Sequence, residues 1–182
     1  GVQYVACAGN FKDAGLEYTG ALKVLQMIFS YEYLWIQIRV KGGAYGCMCS
    51  FSDQGDSMFV TYRDPNLSES YKVYDEAADY VVDFDADDRD MKKYIIGTIG
   101  SMDMPMEAVD MGARSFHAYF LGKTEADLQK VRDQVLSCTQ EDIRALAPIV
   151  KAVVEAGNRC CIGNEEKIDQ NKEYFDEVKH VL

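Results

Sequence analysis

Val2 to Ala8 is a run of apolar and β-prone residues ending at Gly9-Asn10, and it predicts a strand. Gly15 and Gly20 bracket a loop around Tyr18 and Thr19. From Ala21 the apolar residues fall at helical spacing: Leu22, Leu25, Ile28 and Phe29, then Leu34, Trp35 and Ile38. A long helix is expected there, bent near Ser30 to Tyr33 and stopped by Gly42-Gly43. Ala44 to Ser52 then alternates, with Tyr45, Cys47, Cys49 and Phe51 on one face and Ala44, Gly46, Met48 and Ser50 on the other. Gln54-Gly55-Asp56 supplies a turn and Met58, Val60 and Tyr62 a second alternating strand, so the segment reads as a β-hairpin.

After Asp64-Pro65 the pattern is helical. Tyr71, Tyr74, Ala78 and Val81 share a face of a helix running to about Phe84. A second helix is expected over Asp87 to Ser101, and a third from Met104-Pro105 to about Leu121. Thr124-Glu125-Ala126-Asp127 and Thr139-Gln140-Glu141-Asp142 are two helix starts of one design: a Thr that can cap, and an acid three residues on near the positive helix end. Gly157-Asn158 ends the later helix, Arg159 to Ile162 is a short strand, and the tail from Glu165 is expected as a surface helix. Early strands, a helical middle and a returning last strand predict one α+β domain over residues 1–182, not repeated βαβ units.

Charge and cysteine content narrow the function classes. Nineteen Lys and Arg stand against thirty Asp and Glu, a net charge of −11. Nucleic acid is excluded as a partner on that balance, because its binding draws on neutralised phosphates; a cationic ligand or peptide suits the field better. No stretch approaches the roughly 18 uninterrupted apolar residues of a membrane span. The six cysteines lack any C-x-x-C spacing, and Cys47 and Cys49 fall on one strand face while Cys160 and Cys161 are adjacent. They read as buried or half-buried free thiols in a reducing compartment. The start at Gly1-Val2-Gln3-Tyr4, without Met, gives the expectation of an internal piece of a longer protein.

Familiar chemical fingerprints are missing: no Walker-type loop, no G-x-G-x-x-G after a strand and no G-x-S-x-G. His117 and His180 form no zinc motif, so no metal site is expected in this chain, and His117 is expected as a packed helix residue between Phe116 and Tyr119. The Asp83 to Asp90 run lacks the Gly and Glu of a calcium loop and reads as a solvated loop with capping acids. The segment that stands out is Arg39-Val40-Lys41-Gly42-Gly43-Ala44-Tyr45-Gly46, a guanidinium at a helix end joined by a diglycine to a phenol at a strand start. On composition alone Arg39 complements a helix C-terminus and Tyr45 is a sheet residue.

This segment resembles the last domain of presequence-protease-type enzymes, in the pitrilysin/insulinase family of zinc metallopeptidases. So do Gly9-Asn10-Phe11-Lys12-Asp13-Ala14-Gly15, Tyr18-Thr19-Gly20-Ala21-Leu22, Tyr62-Arg63-Asp64-Pro65-Asn66-Leu67, Lys93-Tyr94-Ile95-Ile96-Gly97-Thr98-Ile99 and Glu141-Asp142-Ile143-Arg144-Ala145-Leu146-Ala147-Pro148. The resemblance implies a pitrilysin/mitochondrial-processing-peptidase-like domain, with a mainly antiparallel sheet and helices on one face. It would be the fourth domain of an enzyme that closes around unstructured peptides. Its partners are then those peptides and the other three domains of the same polypeptide. Zinc and its ligands would belong to the first domain, outside this chain. Arg39 and Tyr45 match the Arg and Tyr that the last domain lends across the chamber, with Gly42 and Gly43 close to the peptide. A phenol and a guanidinium are suited to the oxyanion formed at an attacked peptide carbonyl. The fragment alone is expected to be inactive. The compartment implied is the cytoplasm in a bacterium or an organelle matrix in a eukaryote. Two other readings stand beside this one: a non-catalytic scaffold or peptide-binding domain of a homologue that has lost its zinc site, and an unrelated acidic interaction module.

Overall fold

The computed structural model describes residues 1–180. Strands β1 (Tyr4–Asn10), β2 (Gly46–Phe51), β3 (Asp56–Tyr62) and β4 (Asn158–Ile162) form one antiparallel sheet in the order β2-β3-β1-β4. The β2-β3 turn closes as the Gln54-Gly55-Asp56 signal predicts. Gly55 takes φ +98, and the Ser52 N–H donates to Asp56 O at 2.9 Å.

One sheet face is buried and the other is open. Val5, Cys7, Cys49, Phe51, Phe59 and Thr61 point into the core. Tyr4, Met48, Met58, Tyr62 and Ile162 point out and are exposed. The covering layer begins with α1 (Ala21–Ile28), whose Leu22, Val24, Leu25 and Ile28 are fully buried. The expected bend is a widening instead of a kink. The chain continues past Ile28 in two stretches of wide, π-type turns, Phe29–Tyr33 and Trp35–Lys41, and the Leu34 N–H reaches back to Phe29 O. Ser30 Oγ–H also donates to Gln26 O at 2.8 Å, a side-chain bond that competes with the helix ladder at this point.

The remaining helices are α2 (Ser68–Asp75), α3 (Ala77–Val82), α4 (Asp88–Met102), α5 (Ala108–Phe120), α6 (Glu125–Leu136), α7 (Gln140–Arg144), α8 (Ala147–Glu155) and α9 (Glu165–Asp169). The expected helix through Tyr71 and Val81 is thus two short ones broken at Glu76. The break shifts the phase, so that Ala77, not Ala78, is the fully buried alanine. Likewise the segment after Thr139 divides before Pro148, which opens α8 within its first turn. Both Thr caps form as read: Thr124 and Thr139 each accept from the backbone N–H three residues on, while Asp127 and Asp142 reach back to the capping N–H groups.

Two expectations fail. None of the α5 residues is buried, so His117 is exposed and not packed. The apolar stripe of α5, including Val109, Phe116 and Tyr119, is turned away from the core and has no cover among the described residues. Of the cysteines, Cys160 is exposed on the open sheet face, because its neighbour Cys161 takes the covered side. Among the described residues, no helix is long and apolar enough to cross a membrane.

Candidate functional site

Arg39 sits in the last wide turn of the α1 extension, at the end of the helix nearest the start of β2. Two glycines let the chain leave the helix so abruptly. A Cβ on Gly42 would lie 2.5 Å from Ile38 O, too close for any side chain, and Gly43 adopts φ +80. The Gly43 N–H donates to Arg39 O at 3.0 Å and the Ala44 N–H to Ile38 O at 3.1 Å, which satisfies the last helix carbonyls. The diglycine is therefore a helix stop that turns the chain back beside its own last turn. Tyr45 follows at once, and its N–H donates to Arg63 O at 3.3 Å at the head of the hairpin.

This sharp return brings the predicted pair together. Arg39 Nη1–H donates to the Tyr45 carbonyl at 2.6 Å, and the guanidinium carbon lies 5.8 Å from the centre of the Tyr45 ring. On its other side the guanidinium stacks 4.3 Å from the Trp35 ring. No carboxylate of the described residues lies within ion-pair distance of Arg39. Tyr45 is 66% exposed, and its ring meets the edge of Tyr62, which in turn meets Tyr4, so the phenol opens onto the uncovered sheet face. The arrangement offers a cation and a hydroxyl donor at one surface point, with free N–H groups on the guanidinium.

Residues of the Tyr62 to Leu67 segment, given no role in the sequence reading beyond the resemblance, hold this point in place. Asn66 Nδ2–H donates to Gly42 O at 2.6 Å, and the Asn66 N–H donates to Asp64 Oδ1 at 2.9 Å. Asp64 is fully buried, and its other carboxylate oxygen accepts from Ser70 Oγ–H at 2.6 Å. Arg63, just before it, takes φ +49, the sole positive φ of any non-glycine residue described. The Arg63-Asp64-Pro65-Asn66 turn thus braces the helix stop from below. Trp35, one of the apolar residues at helical spacing, is 41% exposed and stacks on Arg39. The signal available in the sequence is its spacing of four from Arg39, which places the two side chains together on one helix face.

Among the described residues, no three His, Cys, Asp or Glu side chains come together to hold a metal ion. His117 is exposed on α5, and His180 Nδ1 lies 3.3 Å from Glu165 Oε1 on the tail. Burial pushes Cys7 and Cys47 up to about 11 and Cys49 up to about 12, so these thiols rest protonated at neutral pH. This donor set does not fit a zinc ion.

The chain matches the family model described as the PreP C-terminal domain over residues 1–164. It is 42% identical over 181 residues to Protein HypA of Clostridium perfringens, covering 100% of this chain and 19% of that protein. It is 34% identical over 185 residues to presequence protease 1, chloroplastic/mitochondrial, of Arabidopsis thaliana, covering 100% of this chain and 17% of that one. The chain therefore spans about a fifth of the length of these relatives. A solved structure described as "putative zinc protease from Bordetella pertussis Tohama I" shares the fold, with a TM-score of 0.65 at 15% identity over 88% of this chain and 92% of that one. A second, described as "the Inactive Peptidase Domain of a Putative Zinc Protease from Bordetella parapertussis", superposes with a TM-score of 0.66 at 15% identity, covering 89% and 91%. From the helix stop at Gly42 to the Tyr45 that follows it, the segment that carried the resemblance lies inside the matched region, and the chain belongs to the family of C-terminal domains of presequence-protease-type peptidases.

Proposed function

We propose that this chain is the fourth and last domain of a zinc metalloendopeptidase that degrades unstructured peptides in a closed chamber, and that it lends Arg39 and Tyr45 to the bound peptide. The observation that carries this reading is the placement of an exposed Tyr45 beside a half-buried Arg39 on a chain whose described residues hold no metal-binding cluster. In this reading the metal is supplied from the other domains; the description of one structural neighbour names it a putative zinc protease. A domain that supplies substrate contacts and no metal is consistent with a structural neighbour described as an inactive peptidase domain.

In this role the Tyr45 hydroxyl donates to the peptide carbonyl oxygen as that atom gains negative charge. Arg39, locked by Trp35 on one face and by the Tyr45 carbonyl at one nitrogen, directs its remaining N–H groups at the same oxygen or the adjoining peptide bond. The backbone at Gly42 and Gly43 borders the path of the peptide. Donors placed in advance are worth about 10²–10³ in rate. They reach the peptide only when the parent closes, so the reaction is gated by closure.

The test is Tyr45→Phe in the full-length parent. The expected result is a fall in kcat of about 10²-fold with a much smaller change in KM, since the contact matures in the transition state. Unchanged turnover would show the phenol to be a bystander. The isolated chain is expected not to cleave an unstructured peptide; chelator-sensitive cleavage by the pure chain would refute the division of labour.

A further inference from the structure

Strand β2 forms one end of the sheet, and among the described residues only β3 pairs with it. The Phe11 N–H donates to Gly55 O on the β1 side of β3, and the Ser52 N–H donates to Asp56 O on the β2 side. Antiparallel alternation then directs the N–H and C=O groups of Cys47, Cys49 and Phe51 away from the sheet. Edge strands are ordinarily blunted by proline or charged side chains, and Gly46–Phe51 contains neither.

A groove runs beside this unprotected edge. A cleft of about 480 Å³ lies between the widened helix, Cys47 and the end of α4. A second cleft of about 480 Å³ continues past Phe51 toward α5 and α6. The two share Lys23, Ser101 and Met102, and the first begins at Trp35, the residue stacked on Arg39. Methionines 27, 102, 104 and 106 line the walls with flexible, polarisable side chains suited to varied partners. The groove is also cationic in a chain of net charge −11. Lys123 pairs with Asp53, but Lys23 has no carboxylate within ion-pair distance among the described residues, and Arg114 contacts only Met106 Sδ, at 3.9 Å. Burial lowers the pKa of Lys23, the mark of a cation not fully compensated.

We propose that the β2 edge and this groove bind an extended peptide by strand addition, with an acidic group of the peptide paired to Lys23. The proposal rests on the reading of Arg39 and Tyr45 as peptide-facing, and it gives the peptide its direction: along β2, with one end at that pair. A ladder recognises main chain whatever the sequence, which suits an enzyme of unstructured peptides, and the charge at Lys23 adds a preference for an anion.

The experiment uses the chelator-treated full-length parent and an unstructured peptide of about ten residues, long enough to span β2 when extended, ending in two aspartates. Amide hydrogen exchange at Cys47, Cys49 and Phe51, the outward-directed amides of β2, is expected to slow at least tenfold when the peptide is added. Lys23→Met is expected to weaken binding about tenfold, the loss of one charge-assisted contact, while an asparagine-ended version of the peptide is unaffected by the substitution. N-methylation at consecutive peptide residues, which removes donors from either register, is expected to abolish protection in the unmodified protein. Peptide binding with exchange at Cys47, Cys49 and Phe51 unchanged overturns the proposal. So does protection of those three amides before any peptide is added, which would mean that another part of the parent occupies the edge. The Tyr45→Phe assay fails or succeeds separately: a lost kcat with unchanged exchange strikes only the groove, and an unchanged kcat strikes the pair.

Discussion

Arg39→Lys separates a contact that serves chemistry from one that only ends a helix. Lysine keeps the positive charge beside the helix C-terminus, so the favourable interaction with the last carbonyls survives. What it loses is the planar fork. Arg39 bonds the Tyr45 carbonyl at 2.6 Å while lying 4.3 Å from the Trp35 ring, and an ammonium cannot hold both positions. A hydrogen bond from a charged donor is worth about 1.5–3 kcal/mol and an exposed cation–π stack about 0.5–1 kcal/mol. Because the site is partly solvated and lysine recovers some of each, a stability loss of about 1 kcal/mol is expected, a Tm shift of about 2–4 °C at this chain length. The catalytic effect is on a different scale, since a misplaced donor costs about 10²–10³ in rate. Urea unfolding of the chain and steady-state cleavage by the full-length parent, each with and without the substitution, measure the two quantities. A kcat that falls less than about threefold, or no more than the stability loss explains, would refute the catalytic assignment. Arg39 would then be a helix-end residue, as composition alone reads it.

Further outcomes follow from packing and ionisation. Gly9→Ala places a Cβ 2.6 Å from Val153 O and 2.9 Å from Val153 Cα, so β1 and α8 must separate; a loss of about 2–3 kcal/mol in urea unfolding is expected, and a neutral result would show that the two elements slide freely. Native-state labelling with a thiol reagent at neutral pH is expected to modify Cys160 first and to spare Cys7, Cys49 and Cys138, as read by mass spectrometry; equal labelling of all six would contradict the burial. Stability is expected to fall under alkaline conditions. Burial raises the Cys49 thiol from 9.0 to about 12, so the unfolded chain ionises first and the native state loses ground as pH rises from about 9 to 12, at roughly 1.4 kcal/mol per pH unit from this residue. Denaturation midpoints at pH 8 and pH 10.5 check the sign, and Cys49→Ala should flatten the slope.

Much of the architecture is local and could be read along the chain. The β2-β3 hairpin follows from alternation around Gln54-Gly55-Asp56, since only glycine takes the backbone of that turn at no cost. The two threonine caps follow from acids three residues on, close enough to bond back across one helical turn. Arg39, Gly42, Gly43 and Tyr45 were legible as a segment because a helix stop and a strand start leave strong marks.

What the segment does with its side chains was decided elsewhere. The spacing of four makes Trp35 and Arg39 neighbours on any helix, but the position of the guanidinium also depends on the Tyr45 carbonyl, which reaches it only once the chain has turned back. Asn66 reaches Gly42 across 24 residues of sequence, on a turn whose shape depends on the buried Asp64 and its bond to Ser70. The packing expected of His117 between Phe116 and Tyr119 does not occur, because apolar neighbours on a helix state that it wants a partner without naming one. The amino-acid order by itself determined the strands, the caps and the helix stop, all of which depend on neighbours within a turn or two. Only the tertiary structure decided which sheet face stays open, which strand keeps a free edge and what steadies the guanidinium, because each depends on contacts between segments far apart in the chain.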